Sequence, residues 1–256
     1  MFEGQIAVVT GAAGGIGRAI SAMLAVRGVS TIIGINRNTD KMTEDDRNLQ
    51  FRALTVDVAN RNAMQKAIDG IESEFGQINI LVTAAGLLQP PPLSVDDVSE
   101  RQFDKIIDVN LKGTWNALSL VGPGMVHRGS GSIITIASIT GIQPGPLMPY
   151  GPSKAAIIEM TKSYAGAWGK HGVRVNCVAP GFVETPPVSR GVAFGLIDLP
   201  KLGAATALKR LATAEEVAKA VCFLASDQAS GITGAILPVD CGALVMPGFT
   251  TLERHS

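Results

Sequence analysis

IAVVTGAAGGIG, residues 6–17, joins a short apolar run rich in β-branched residues to a turn holding Gly11, Gly14, Gly15 and Gly17. A short run of this kind bounded by a turn, IAVVT at 6–10, reads as a fully buried strand. So many glycines give up rigidity that a plain connection would keep. Such a turn lets the main chain approach an anionic ligand, and the helix after it offers unpaired N–H groups at the positive end of its dipole. The spacing is GxxxGxG. It is neither a P-loop, whose lysine and hydroxyl residue are missing, nor GxGxxG.

Outward from this turn, apolar runs recur at regular intervals. STIIGI (30–35), FRALTVDV (51–58), INILVTAAG (78–86, with its exit turn), SIITIAS (132–138), VRVNCVAP (173–180) and AILPVD (235–240) read as six further strands. Helices are expected near 15–28, 60–76, 152–170 and 213–225, and over a long region broken near Val109. The polar stretch 36–49 reads as a loop or a very short helix. Continuous apolar strands alternating with helices require a parallel sheet covered on both faces. The expected fold is therefore a single-domain, Rossmann-like, doubly wound α/β sheet of about seven strands spanning residues 1–256. A Pro/Gly-rich segment at about 184–212 is expected to form a substrate lid.

Composition narrows the function classes. Apolar residues make up 46% of the 256-residue chain and charged residues 17%, enough for a two-sided core and too little charge for disorder. With 22 basic and 22 acidic residues, nothing favours nucleic acid as a partner. Three scattered cysteines and three scattered histidines form no disulfide framework, metal site or histidine triad. The N-terminal apolar run has no basic segment before it and reads as a strand. No apolar stretch reaches the ~20 residues that span a bilayer. The expectation is a cytoplasmic protein with no metal, membrane or nucleic-acid partner.

YGPSK (150–154) raises the question of chemistry. A free phenol titrates near pH 10, so Tyr150 needs help to carry protons near neutrality. On a helix, Lys154 lies on the same face at i,i+4, and a nearby cation favours phenolate. The pair alone also fits an ordinary helix residue that happens to precede a lysine. The chain has only one other tyrosine, Tyr164, with no lysine four residues on. Pro152 suits a first helical turn. Ser138 ends a strand at the carboxyl edge, where open α/β sheets bind ligands. Asn110 sits where its side chain competes for helix backbone groups.

TGxxxGxG at 10–17 and YxxxK at 150–154, with Asp57 after strand three, AAG at 84–86, Asn110, Ser138 and PGFVET at 180–185, resemble the short-chain dehydrogenase/reductase family from Thr10 to Gly242. The resemblance implies Tyr150 as general acid/base and Ser138 as the donor orienting a substrate carbonyl. It implies that Lys154 lowers the tyrosine pKa and holds the nicotinamide ribose, while Asn110 supports a water-linked proton path through Lys154. It also implies cofactor contacts from Gly11, Gly14, Gly15, Ile16 and Gly17 at the turn, from Asp57 and Val58 beside the adenine, and from Ala85 and Gly86. Pro180, Gly181, Val183 and Thr185 would flank the nicotinamide. Three departures stand out: TAAG (83–86) for the usual NNAG, a 12-residue step from Ser138 to Tyr150, and DCG (240–242) for DGG.

The end of strand two reads GINRN, with Asn36 where an NAD-preferring enzyme places a carboxylate. Asn36 removes the repulsion toward a phosphate, and Arg37 can grip one. NADP(H) is favoured over NAD(H), with NAD on Asn36 and a solvated Arg37 the open alternative. Leu87, Leu88, Gln89, Ile139, Thr140, Leu147, Met148, Phe182 and residues 186–200 surround the expected pocket, Arg190 being the one basic residue of that last segment. This mostly apolar set favours a neutral ketone or secondary alcohol. A 3-oxoacyl-thioester reductase, a sugar or cyclic-diol dehydrogenase, and an NADP-sensing binding protein are the alternatives, and intact Ser138, Tyr150 and Lys154 speak against the last. The helical regions 102–128 and 152–170 carry more apolar residues than one face needs, and by resemblance imply a homotetramer or homodimer.

Overall fold

A computed structural model of the chain describes residues 1–40, 42, 50–88, 97–145, 147–185 and 198–246. Seven strands, β1 (Ile6–Thr10), β2 (Thr31–Asn36), β3 (Gln50–Thr55), β4 (Ile80–Thr83), β5 (Gly131–Ile136), β6 (Val173–Pro180) and β7 (Ile236–Val239), form one sheet in the order β3-β2-β1-β4-β5-β6-β7. Every pairing is parallel. The helices are α1 (Gly15–Val26), α2 (Arg61–Phe75), α3 (Glu100–Ile107), α4 (Gly113–Arg128), α5 (Tyr150–Trp168), α6 (Leu199–Ala204) and α7 (Ala214–Ala225).

The apolar strands are continuous because both faces are covered. In register, Ala7 lies beside Ile32 and Ile80, while its neighbour Val8 lies beside Ile33 and Leu81. The first row packs with Ile20 and Leu24 of α1 and Val217 and Val221 of α7. The second packs with Met64 and Ile68 of α2 and Leu118 and Val121 of α4. Successive side chains point to opposite faces, so a run without polar alternation needs both layers. Each large apolar side chain so buried contributes about 1.5–3 kcal/mol relative to exposure.

Several boundaries differ from the expected ones. β3 ends at Thr55, and Asp57 lies beyond it, its carboxylate accepting from the Ala59 N–H at 2.9 Å. A side-chain-closed turn of this kind takes the chain out of the sheet. The break near Val109 is a single π turn, Asp108–Lys112, so the chain stays helical from α3 into α4. α5 begins at Tyr150 itself, with Pro152 in its first turn. The lid segment contains α6, started by Asp198, whose side chain accepts from the Lys201 N–H at 2.9 Å. Of the expected polar loop, residues 41 and 43–49 lie outside the described residues, as do Gln89 and lid residues 186–197, Arg190 among them.

Candidate active site

β1 and β4 are neighbours although α1, β2, β3 and α2 separate them in sequence, so the strand order reverses beside β1. Open α/β sheets place their ligand crevice at the carboxyl ends of the strands at such a reversal. Here the crevice starts at the glycine turn. Gly11 adopts φ +72°, and a Cβ there would come within 2.6 Å of the Ala84 and Ala85 main chain. A Cβ on Gly17 would collide with the Gly11 carbonyl. The turn thus packs against the β4 exit closely enough to exclude any side chain. Gly14, the residue before α1, provides no side-chain cap, so the first N–H groups of α1 open toward the crevice.

A cavity of about 730 Å³ runs from this turn along the strand ends. Gly11, Gly14, Gly15, Ile16, Gly17 and Asn36 line one end, and Gly86, Ser138, Tyr150, Lys154, Pro180, Gly181, Val183 and Thr185 the remainder. Arg37, Asp57, Val58 and Ala85 line an adjoining pocket of about 240 Å³. Every cofactor residue expected from the sequence therefore borders one of the two spaces. Leu87, Leu88, Ile139, Thr140, Leu147 and Phe182 wall the part nearest Tyr150, whereas Met148 is 39% exposed and is not among the wall residues.

Ser138 follows β5 and opens a short 3₁₀ turn at Ile139–Gly141. Its hydroxyl oxygen accepts from the Thr140 N–H at 3.2 Å and the Thr140 hydroxyl at 2.9 Å. With its oxygen so engaged, the Ser138 proton is left to donate toward the cavity. Burial pushes the Tyr150 phenol up from its ordinary value, and the Ser138 hydroxyl bonded to it acts in the opposite direction. Lys154 is only 5% exposed. Its ammonium donates to the Ile136 carbonyl at 2.9 Å and lies 5.6 Å from the Tyr150 ring centroid. Burial lowers its pKa to about 8, partly offset by Cys177.

The Ser138 hydroxyl acts directly on the Tyr150 phenol, while the Lys154 ammonium stands 5.6 Å from the ring centroid and directs one proton at Ile136. Asn110 is 0% exposed and stands behind the cavity rather than in its wall. Its Oδ1 accepts from the Leu87 N–H at 2.7 Å, and its Nδ2 donates to the Leu87 carbonyl and the Ser153 hydroxyl, both at 3.1 Å. Ser153 in turn donates to the Tyr150 carbonyl at 2.7 Å. The Asn110 side chain is thus occupied by protein groups that join the β4 exit to the start of α5.

Sequence reading missed Ser153 in this chain of bonds, and also Arg18, Asn38 and Asp40, which line the cavity. One signal was present for Arg18: it follows Gly14 by four residues, the spacing that shares a helix face. Among the described residues no group of three or more His, Cys, Asp or Glu could hold a metal ion. No helix of the described residues is long and apolar enough to cross a membrane.

Fold and site together define a Rossmann-like α/β protein, with a half-buried tyrosine and a buried lysine at the strand ends and a ligand-admitting glycine turn beside them. The family model described as Enoyl-(Acyl carrier protein) reductase matches residues 11–243. The 3-oxoacyl-[acyl-carrier-protein] reductase of Thermotoga maritima is 34% identical over 95% of this chain and 99% of its own. Cis-4-hydroxycyclohexanecarboxylate dehydrogenase of Sinomonas cyclohexanicum is 37% identical over 94% of this chain and 97% of its own. Among solved structures, a gluconate 5-dehydrogenase from Burkholderia cenocepacia in complex with NADP and tartrate has a TM-score of 0.88 at 30% identity, covering 95% of this chain and 96% of that one. The chain belongs to the short-chain dehydrogenase/reductase family of oxidoreductases.

Proposed function

We propose that the protein interconverts a ketone and a secondary alcohol with NADP(H), with Tyr150 giving and taking the proton. The observation that carries this is the convergence of Ser138, Tyr150 and Lys154 on one cavity that begins at the Gly11–Gly17 turn. The turn fits a dinucleotide: it is a cradle that a Cβ at Gly11 or Gly17 would fill, and it ends in an uncapped helix start suited to phosphates. When bound, the nicotinamide supplies or accepts the hydride.

The protein's own groups handle the proton. The Tyr150 phenol is protonated near neutrality and burial pushes its pKa further up, which keeps it in the state needed to protonate a ketone oxygen as it gains the hydride. In the alcohol direction, the phenolate is stabilised by the Ser138 hydroxyl and by the charged amine of Lys154. Ser138, fixed by its two bonds from Thr140, orients the substrate oxygen. Lys154 keeps N–H donors beyond the one at Ile136 to hold the ribose. Asn110 acts through Leu87 and Ser153, fixing the Tyr150 backbone.

The apolar wall of Leu87, Leu88, Ile139, Leu147 and Phe182 supports a neutral, carbon-rich substrate. The acyl-carrier reductase among the relatives supports a 3-oxoacyl thioester as the second reading. A turnover screen of cyclic ketones, diols, sugars and 3-oxoacyl thioesters separates the two. Tyr150→Phe should lower turnover by roughly 10²–10⁴-fold while NADPH binding, followed by fluorescence, is retained. Undiminished turnover would exclude the role. Assembly as a homotetramer is part of the proposal, supported by Phe103 of α3 and Trp115 of α4, which stand 42% and 41% exposed.

A further inference from the structure

Resting on the ketone–alcohol reading above, we infer that Thr140 is a specificity-determining residue, whose hydroxyl oxygen accepts a hydrogen bond from a substrate hydroxyl on the carbon next to the reacting one. The substrate class is then an α-hydroxy ketone, or a vicinal diol in the alcohol direction.

The direction of one hydrogen bond carries this. A hydroxyl has a single proton and two lone pairs. Ser138 commits its proton to the substrate oxygen, and in its 2.9 Å bond with Thr140 it is Thr140 that donates. Having given its proton to Ser138, the Thr140 oxygen can only accept from a ligand. Thr140 is half-buried and lines the main cavity with Ser138 and Tyr150. On a neutral substrate, the group that can donate to it is a hydroxyl. Oxygens on adjacent carbons lie about as far apart as two hydrogen-bonded oxygens. A substrate carrying both groups therefore spans the Ser138–Thr140 pair, receiving one bond at its carbonyl and giving one at its hydroxyl.

The pair is also held against the reacting groups. Thr140 lies in the 3₁₀ turn Ile139–Gly141 that follows Ser138, and this turn packs main chain to main chain on the first turns of α5. A Cβ on Gly141 would come within 2.7 Å of the Lys154 carbonyl carbon, and one on Gly151 would lie 3.4 Å from the Thr140 carbonyl oxygen. The Thr140 N–H adds its own bond to Ser138 Oγ at 3.2 Å. The acceptor is thus fixed relative to Ser138 and Tyr150 before a substrate arrives, so little ordering opposes the contact. Leu87, Leu88, Ile139, Leu147 and Phe182 line the same part of the cavity with apolar side chains. A substrate hydroxyl placed among them would lose its water without a new partner, which favours the orientation that meets Thr140.

Steady-state reduction of cyclohexanone, 2-hydroxycyclohexanone and 2-methoxycyclohexanone tests this on the unsubstituted protein, Thr140→Val and Thr140→Ser. The unsubstituted protein should show kcat/KM roughly tenfold higher for the hydroxy ketone than for cyclohexanone. The methoxy ketone also carries an oxygen beside its carbonyl but has no proton to give, and it should lose that advantage. Thr140→Val should slow every ketone, since Ser138 loses a partner, and should bring the ratio of hydroxy ketone to cyclohexanone below about threefold. Thr140→Ser, which keeps the hydroxyl, should keep most of the preference. The three ketones on the unsubstituted protein read the preference even where Thr140→Val fails to fold. Equal kcat/KM for the hydroxy and methoxy ketones, or a preference retained in Thr140→Val, would overturn the inference while ketone reduction itself stands. If none of the three is reduced with either nucleotide, the ketone–alcohol reading fails and the inference with it.

Discussion

Lys154 is a cation that the core tolerates poorly. Its pKa is about 8 in the folded chain against 10.5 in the open one. Below pH 8 both states hold the proton and the burial penalty is fully present. Between pH 8 and 10.5 the unfolded chain holds more protons than the folded one, so this residue's contribution to stability rises with pH across that window. Lys154→Met should therefore be more stable than the unsubstituted protein at pH 7, by up to about 3 kcal/mol. The gap should shrink toward pH 10. Urea denaturation at the two pH values measures it, and a gap that does not change with pH would refute the burial account. Cys241 carries a different strain, a left-handed φ of 54°, at the position where the sequence departs from the usual glycine. Cys241→Gly should raise stability by up to about 1 kcal/mol, read from the same denaturation curves.

The π turn at Asp108–Lys112 is the element that ties the site together, because it sets Asn110 between the β4 exit and α5. Asn110→Leu would leave the Leu87 N–H and the Ser153 hydroxyl without this partner in a buried place. It should cost roughly 3 kcal/mol of stability and lower kcat/KM, measured by denaturation and steady-state assay. Unchanged values of both would show the bonds to be dispensable. The sequence announces a break here, since Asn110 is a poor helix-interior residue. It does not announce the form of the break, which depends on partners 23 and 43 residues away. The same limit explains the other misses. Asp57 reads as strand until its side chain is seen to close a turn. Arg18 reads as an ordinary helix residue until the β2 exit, remote in sequence, is brought opposite it. Ser138 and Tyr150 are legible because each sits at an element boundary marked by local residue type, and Lys154 because it follows Tyr150 at i,i+4 on the same helix.

For the whole molecule, alternation of apolar runs and helical stretches predicts a parallel sheet with two helical layers, as found. It does not say which strand lies beside which, because strand order depends on how crossovers pack and not on the period of any one strand. The outer surface of the α3–α4 layer carries Phe103 and Trp115, the latter stacked under Arg61 at 4.6 Å. If this face joins subunits, light scattering should give a mass of four chains, and Trp115→Glu should give smaller species. A monomer from the unsubstituted protein would reject the proposed tetramer. The π turn has one last effect at this scale, through helical phase. It holds one residue more than an α turn, and each helical residue rotates the chain by about 100°. Deleting Val109 would leave a smooth α-helix, yet it would swing all of Glu100–Ile107 by that angle. Ile106, buried now, would turn away from the core, and a single-residue deletion would act as a rotation of the whole preceding helix.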